Sequence, residues 1–278
     1  MKKWMYNTLM IIFAATFVFS AGMLLWYWAD SKAQAEEYDA LAQLVEQARP
    51  TKPEHIQPED PQSSTDPTAE QQNPWVTVTD PETGAQIQIL PEYAQLYTMN
   101  NDLVGWIRIP DTKLNYPVMQ TPNKPDYYLK RNFEKKRNAH GCIYAKEECD
   151  LSLSDNVTLY GHYMNDGSMF APLGKYKKKS YWQAHPIIHF DTLTQRRTFE
   201  IFAVLTTTAT EGKGFRYHNF IQAENQEEFD AFVARCKKLS RYDTGITPQY
   251  GDKLITLSTC EYSQSNGRLV VVARLMDN

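Results

Sequence analysis

The chain has 278 residues, a net charge of −4 and four cysteines. That length allows one domain with a sizeable core, and four cysteines are too few for a disulfide scaffold. Residues 29–90 carry 3 basic and 12 acidic groups, whereas residues 91–278 carry 24 basic and 21 acidic groups. The second segment is close to neutral, which gives no electrostatic basis for binding nucleic acid.

The N-terminal segment, residues 1–29, is predicted to be a membrane anchor. Two lysines precede an uncharged stretch from Trp4 to Ala29, which as a helix would span roughly 39 Å, enough for a ~30 Å hydrocarbon core. A cleaved signal peptide is the alternative, but the apolar run continues beyond the small residues at 20–22, which favours the uncleaved anchor. The lysines predict a cytoplasmic N-terminus in a single-pass protein of the cell membrane, with the remainder extracellular.

Residues 30–90 are predicted to form a stalk. Apolar residues recur at helical spacing up to residue 49, and Pro50 ends that pattern. Six prolines between Pro50 and Pro74 alternate with glutamine, serine, threonine and acidic residues. This composition favours extended backbone and cannot bury a core. The folded domain is therefore predicted to comprise residues 91–278.

The remaining 188 residues contain eight strand-like runs separated by turn-forming residues. These runs are approximately residues 104–109, 114–118, 141–145, 156–160, 187–190, 198–206, 253–258 and 268–275. Short strands in this arrangement predict a closed barrel or a sandwich, and not a parallel α/β sheet. Two helices are predicted at 91–97 and 225–240. The second has a capping-box-like start and assigns Cys236 to packing.

The last two strand-like runs carry the strongest chemical signal. They are joined by a polar loop, so an antiparallel pairing would place Cys260 beside Arg268. Alternation places Ser258, Cys260 and Arg268 on one face, opposite an apolar set. A cation beside a thiol favours the thiolate and can stabilise the oxyanion that forms when a carbonyl is attacked. A buried structural cysteine is the alternative, but the strand-end position beside polar residues favours a cleft.

A nucleophilic cysteine requires a base, and His162 is the candidate among six histidines. It follows a predicted strand through Gly161 and begins a polar loop, which is the same strand-end placement as that of Cys260. The other histidines lie in proline-rich, charged or aromatic surroundings or flank an apolar strand, and no catalytic role is predicted for them. They are His55, His140, His185, His189 and His218.

Three features together resemble the sortases, the cysteine transpeptidases of Gram-positive cell surfaces. They are the sequence Thr-Leu-Ser-Thr-Cys ending at Cys260, an arginine eight residues later, and Tyr-Gly-His ending at His162. The resemblance covers residues 91–278 and is closest to class B. Segments similar to that class's landmarks are residues 101–112, 116–120 and 161–170. Tyr163 departs from the pattern, because class B members often have asparagine there.

The resemblance implies a mainly β fold, an eight-stranded sortase-type closed barrel with peripheral helices, preceded by a transmembrane helix and a stalk. It implies that Cys260 attacks the threonine carbonyl of a C-terminal sorting signal on a secreted protein, that Arg268 stabilises the oxyanion, and that His162 protonates the departing amine. The thioacyl enzyme would then react with an amine of peptidoglycan precursor or of a pilin. Ser258 or Thr259 is expected to hydrogen-bond the substrate.

Two other functions are compatible with these residues. A secreted cysteine endopeptidase would use Cys260 and His162 but release its product to water, and a non-catalytic wall-binding domain would need no reactive thiol. A second arginine, Arg274, shares the face of Arg268 but lies deeper along its strand, which makes it the weaker candidate for the oxyanion role.

The sequence contains no clustered metal ligands and no glycine-rich phosphate loop, so neither metal nor cofactor is predicted. A local disulfide between Cys142 and Cys149 is left open by their spacing. The basic run at residues 175–179 predicts a solvated face, with contact to anionic wall polymer or lipid headgroups as the alternative.

Overall fold

The computed structural model describes residues 3–50, 75–263 and 265–276. The proline-rich part of the predicted stalk, residues 51–74, therefore lies outside the described residues. The chain divides after Ala40 into two compact units, and the second unit contains every residue of the predicted active site.

Helix α1 runs from Lys3 to Ala48 and covers both the predicted anchor and the helical pattern that follows it. In the described ranges, it is the one helix long and apolar enough to cross a membrane. Its large apolar side chains between Trp4 and Trp28 are exposed. A helix that is apolar on all sides and not packed within protein is typical of a membrane span.

Residues 75–90, assigned to the stalk from sequence, contain a two-stranded antiparallel hairpin of β1, Val76–Thr79, and β2, Gln86–Ile89. Both strands alternate β-branched and polar residues, which is the pattern of a half-exposed strand. The Asp80 carboxylate caps the turn by accepting two backbone amides. After the hairpin, the Leu90 amide donates to the carbonyl of Leu193 at 2.7 Å, so the hairpin is joined directly to the barrel.

Eight strands form a closed barrel in the order β10-β8-β7-β3-β4-β5-β6-β9, which confirms the predicted fold. The strands are β3 Leu103–Arg108, β4 Asn115–Met119, β5 Ile143–Ala145, β6 Asn156–Tyr160, β7 Ile187–Thr192, β8 Thr198–Thr208, β9 Leu254–Glu261 and β10 Gly267–Leu275. Neighbouring pairs are antiparallel except for two, β4 with β5 and β6 with β9. Because β6 and β9 run in the same direction, both end at the same rim of the barrel.

Within the described residues, three further α-helices surround this barrel, namely α2 Pro91–Met99, α3 Lys179–Ala184 and α4 Gln226–Leu239. The Asn225 side chain accepts the Glu228 amide at 3.0 Å, and the Glu228 carboxylate accepts the Glu224 amide at 2.9 Å. These reciprocal bonds satisfy amides that the first helical turn leaves unpaired. The predicted start of α4 is therefore confirmed.

Helix α4 covers the outer face of β10. Val270 and Val272 pack against Phe229, Val233 and Cys236 in one buried cluster, while the alternate residues of β10 face the other way and are also buried. Both faces of β10 are therefore apolar over most of its length, which makes the strand a rigid support. The face that α4 covers is the one that carries Arg268 on β10 and, on the neighbouring strand, Ser258 and Cys260.

Candidate active site

Cys260 and Arg268 are directly paired across the antiparallel strands β9 and β10, as the sequence predicts. Cys260 is half-buried, whereas the other three cysteines are buried. The guanidinium of Arg268 donates from Nη1 to the carbonyl of Gly267 at 3.0 Å, and its side chain is also half-buried. The thiol and the guanidinium therefore stand at paired positions on one face, and both residues are partly open to solvent.

His162 reaches the same rim from the other side of β9. Tyr160 at the end of β6 pairs with Ser258 in the parallel β6–β9 ladder, and the Gly161 amide donates to the Ser258 carbonyl at 3.2 Å. His162 follows two residues after Tyr160, and Cys260 two residues after Ser258, and both line the same cleft. The structure thus brings together the three residues predicted to be catalytic.

Gly161 is required by packing at this point. A Cβ at residue 161 would lie 2.4 Å from the Cδ1 of Ile143 and 2.7 Å from the ring of Phe170, well inside van der Waals contact. Glycine therefore lets the chain pass between these side chains directly after β6, and His162 follows immediately.

The imidazole of His162 is oriented by a backbone carbonyl. Its Nε2 lies 2.7 Å from the carbonyl oxygen of Leu129, and because a carbonyl only accepts, Nε2 must carry the proton. The other nitrogen, Nδ1, is therefore the one that can accept or release a proton. This arrangement fixes both the tautomer and the ring orientation, as a general acid–base catalyst requires.

The loop that follows His162 is held at both ends. The Phe170 amide donates to the His162 carbonyl at 2.9 Å, and Tyr163 forms a β-bridge with Met169. Tyr163, the departure from the class B pattern, contacts the ring of Tyr262 edge-on at 5.8 Å between centroids. The residue that differs from the family pattern therefore forms part of the rim beside Cys260.

A cleft of about 360 Å³ contains Cys260, His162 and Arg268. Its remaining wall combines aromatic, charged and small residues, which are Asp126, Leu129, Tyr144, Lys146, Glu147, Tyr160, Gly161, Ala209, Tyr217, His218, Ser258 and Thr259. The size and mixed polarity of this cleft suit an extended peptide segment.

Ser258 and Thr259, the predicted substrate-binding pair, are both buried. The Ser258 hydroxyl lies 2.6 Å from the Tyr217 hydroxyl, and burial raises the pKa of Tyr217, which keeps that phenol protonated at neutral pH. The Thr259 hydroxyl is buried with no hydrogen-bond partner in the described part of the chain. Of the two, Ser258 is therefore connected to a polar group of the cleft wall, and Thr259 is not.

Sequence reasoning missed the contribution of Tyr217 and His218 to the cleft. Both belong to a 3₁₀-helix, Tyr217–Asn219, in the connection between β8 and α4. Burial lowers the pKa of His218, and the nearby cation of Lys146 lowers it further, so its ring is neutral at neutral pH. No local sequence pattern predicts this placement, because it depends on how the connection folds over the barrel rim.

Arg274, the alternative arginine, is held elsewhere. Its Nε donates to a carboxylate oxygen of Glu200 at 2.6 Å, and its Nη1 lies 3.6 Å from Asp252. It pairs with Leu254 at the far end of β9 from Cys260. These ion pairs assign Arg274 to the barrel wall.

The other cysteines have structural surroundings. Burial raises the pKa of Cys149 and strongly raises that of Cys236, which keeps both thiols protonated and unreactive. Cys142 is buried as well, and it forms no disulfide with Cys149. In the part of the chain that the structure describes, no group of three or more histidine, cysteine or acidic side chains could hold a metal ion.

Comparison with known proteins places this barrel in a family. A family model described as "Sortase domain" matches residues 107–276. The sortase B of Staphylococcus aureus is 34% identical over 196 residues, which cover 69% of this chain and 77% of that protein. The chain belongs to the sortase family.

The solved structures indicate the class within the family. The Staphylococcus aureus sortase B–substrate complex is similar with a TM-score of 0.70 and 27% identity over 90% of this chain and 99% of that one. A sortase B complexed with triglycine has a TM-score of 0.61 and 33% identity over 67% of this chain and 86% of that one. The protein is a class B sortase, a transpeptidase with a closed eight-stranded barrel.

Proposed function

We propose that this protein is a membrane-anchored cysteine transpeptidase that joins secreted proteins to an amine through a thioacyl intermediate. One observation carries the proposal. Cys260 lies on β9, and the two neighbouring strands, β6 and β10, bring a base and an oxyanion donor to the same rim. Strand β10 places Arg268 opposite the thiol, and strand β6 leads into His162 beside it. The similarity to a sortase B solved with substrate and to another solved with triglycine supports the two substrate classes.

The first half-reaction follows from these positions. The Cys260 thiolate attacks the carbonyl carbon of the scissile peptide bond in a C-terminal sorting signal, and the carbonyl oxygen becomes an oxyanion. Arg268 donates a hydrogen bond to that oxygen. When the C–N bond breaks, Nδ1 of protonated His162 gives its proton to the departing amine. A thioacyl enzyme and neutral His162 remain.

The second half-reaction returns the enzyme to its starting state. Neutral His162 accepts a proton at Nδ1 from an incoming primary amine, whose nitrogen attacks the thioacyl carbonyl. The C–S bond breaks, and the Cys260 thiolate departs with the new amide released. We propose an amine of peptidoglycan precursor or of a pilin as the acceptor. The Leu129 carbonyl keeps the Nε2 proton in place throughout both halves.

We further propose that Ser258 binds the sorting signal together with Tyr217. Their hydroxyls are 2.6 Å apart, and only one of the two can donate to the other. The remaining hydroxyl proton is then available to a substrate carbonyl in the cleft. Thr259 is proposed to contribute through its backbone, since its side chain is buried and meets no polar group among the described residues.

Product analysis tests the function. The full chain in detergent, incubated with a library of sorting-signal peptides and an excess of triglycine, is expected to yield amide products that mass spectrometry identifies as donor fragment plus acceptor. Hydrolysed fragments alone, even at high amine concentration, would identify a secreted endopeptidase. Absence of any thioacyl adduct would identify a non-catalytic wall-binding domain.

We propose that α1 anchors the enzyme in the cell membrane, with the N-terminus cytoplasmic and the barrel extracellular. The apolar composition of α1 and the two lysines that precede its apolar stretch support this orientation. Protease added to intact, wall-stripped cells is expected to cut within residues 50–74 and release an active soluble fragment. A barrel that stays protected until the membrane is broken would reverse the orientation.

A further inference from the structure

A second groove lies beside the loop that follows His162 and shares no lining residue with the cleft around Cys260, here called the donor cleft. Its volume is about 650 Å³, and it is the larger of the two. Its walls come from the loop after His162, the 3₁₀-helix Ala171–Lys177 and the connection between β3 and β4. The lining residues are Thr112, Lys113, Tyr163, Met164, Asn165, Gly167, Ala171, Pro172, Gly174, Lys175 and Lys178.

The groove carries uncompensated positive charge. Lys113, Lys175 and Lys178 line it, and all three are exposed. Across the described ranges, none of the three forms an ion pair, and no acidic residue lines the groove. Lys175 lies over the ring of Tyr181 at 5.6 Å, which partly orients its side chain. The neighbouring Lys177, in contrast, is paired with Glu261.

A small cavity adjoins both the groove and the donor cleft. Its volume is about 130 Å³, and it is lined by Tyr163, Lys177, Cys260, Glu261, Tyr262, Ser263 and Leu269. Tyr163 lines both this cavity and the groove, and Cys260 lines both this cavity and the donor cleft. The groove therefore lies near Cys260, on the Tyr163 side of the rim.

Tyr163 lies at the boundary between the groove and the small cavity beside Cys260. A Cβ at residue 174 would lie 2.8 Å from the Tyr163 hydroxyl oxygen and 2.9 Å from its ring, so glycine there admits the aromatic ring against the 3₁₀-helix. The phenol thereby becomes a wall shared by the groove and the cavity. An asparagine at this position would be too short to form that wall.

We propose that the lysine groove binds a carboxylate group of the amine acceptor. The inference rests on the proposed transpeptidation, because it concerns the second substrate of that reaction. In the thioacyl enzyme the acyl half of the donor remains covalently attached in the cleft, so the acceptor approaches from the other side of Cys260. A carboxylate that follows the amine within a short peptide would lie among the three lysines while the amine reaches the thioacyl carbonyl.

The test compares two acceptors with the full chain in detergent. Triglycinamide has no negative charge, and Gly-Gly-Gly-Asp-Asp-amide adds two carboxylates. We expect the charged acceptor to have the lower apparent KM. The triple variant Lys113→Gln, Lys175→Gln, Lys178→Gln should raise that KM by about tenfold, the combined effect expected of three exposed charge contacts. The KM for triglycinamide and the rate of donor hydrolysis without acceptor should both change less than about twofold.

The matched control removes the same charge elsewhere. Lys213, Arg235 and Lys238 are exposed and lie outside the groove, cleft and cavity, and their joint replacement by glutamine should leave both KM values unchanged. Raising the salt concentration should remove the preference of the wild-type enzyme for the charged acceptor, because screening weakens exposed charge pairs.

Three outcomes would overturn the inference. They are equal KM values for the two acceptors in wild type, an equal effect of the triple variant on both, and an effect as large in the control variant. Anionic lipid headgroups are the other possible ligand of the lysines. This alternative is tested by repeating the KM measurements in phosphatidylcholine vesicles with and without phosphatidylglycerol. If the triple variant raises the KM only in vesicles that contain phosphatidylglycerol, the lysines bind lipid headgroups and the acceptor role is refuted. If a thioacyl adduct forms but no amine is transferred, the proposed function fails instead.

Discussion

Replacing Cys260 with alanine is expected to reduce turnover to background, a fall of roughly 10⁴- to 10⁶-fold, because no other group in the cleft can form the thioacyl bond. Cys260 is the half-buried cysteine, and the other three are buried. Iodoacetamide should therefore label the folded wild-type protein once and the Cys260→Ala protein not at all. Single-turnover acylation followed by intact-mass spectrometry measures both results.

Cys236→Ala is the matched control, since it removes a thiol on the buried face of α4. Its turnover should stay within about twofold of wild type, although the lost packing lowers its melting temperature. If both variants fold and lose turnover equally, Cys260 is not the nucleophile.

Arg268→Ala is expected to lower the acylation rate by ~10²- to 10³-fold, the typical cost of removing one oxyanion donor. The thiol should still react with iodoacetamide, because Cys260 itself is unchanged. Arg268→Lys should recover only part of the rate, since an ammonium keeps the positive charge but lacks the planar fork of donors. Stopped-flow acylation of the two variants checks both expectations.

Arg274→Ala is the control for this experiment. Arg274 is paired with Glu200 and Asp252 on the barrel wall, and partly exposed ion pairs contribute about 1 kcal/mol or less. The variant should therefore acylate at nearly the wild-type rate and melt only ~2–4 °C lower. An acylation defect in folded Arg274→Ala that exceeds the defect of Arg268→Ala would refute the oxyanion role of Arg268.

Local patterns in the sequence predicted much of this protein. Short strand-like runs separated by turn-forming residues located the eight barrel strands, and the capping residues Asn225 and Glu228 located the start of α4. The pairing of Cys260 with Arg268 also followed from sequence, because a short polar loop between two strands leaves one antiparallel register that matches the apolar pattern. These features depend on residues close together in the chain.

The hairpin of β1 and β2 shows where composition misled the sequence analysis. Each strand has only four residues, and the acidic, proline-rich segment before them dominated the assignment to a stalk. Aliphatic and polar residues do alternate in both strands, but over too few positions to outweigh the composition of the preceding segment. The docking of the segment to the barrel, through the Leu90 amide and the Leu193 carbonyl, joins residues about a hundred positions apart and has no local signature.

The remaining residues of the active site are brought together by closure of the barrel. The parallel pairing of β6 with β9 brings His162 to Cys260 across 98 residues of chain, and the Leu129 carbonyl then selects the imidazole tautomer. In the same way, the path of the chain over the rim brings Tyr217 to Ser258. The sequence by itself determined which strands form and which residue types could react. Only the tertiary structure decided which residues from distant segments meet, because such contacts depend on the packing of the whole barrel, which no local pattern encodes.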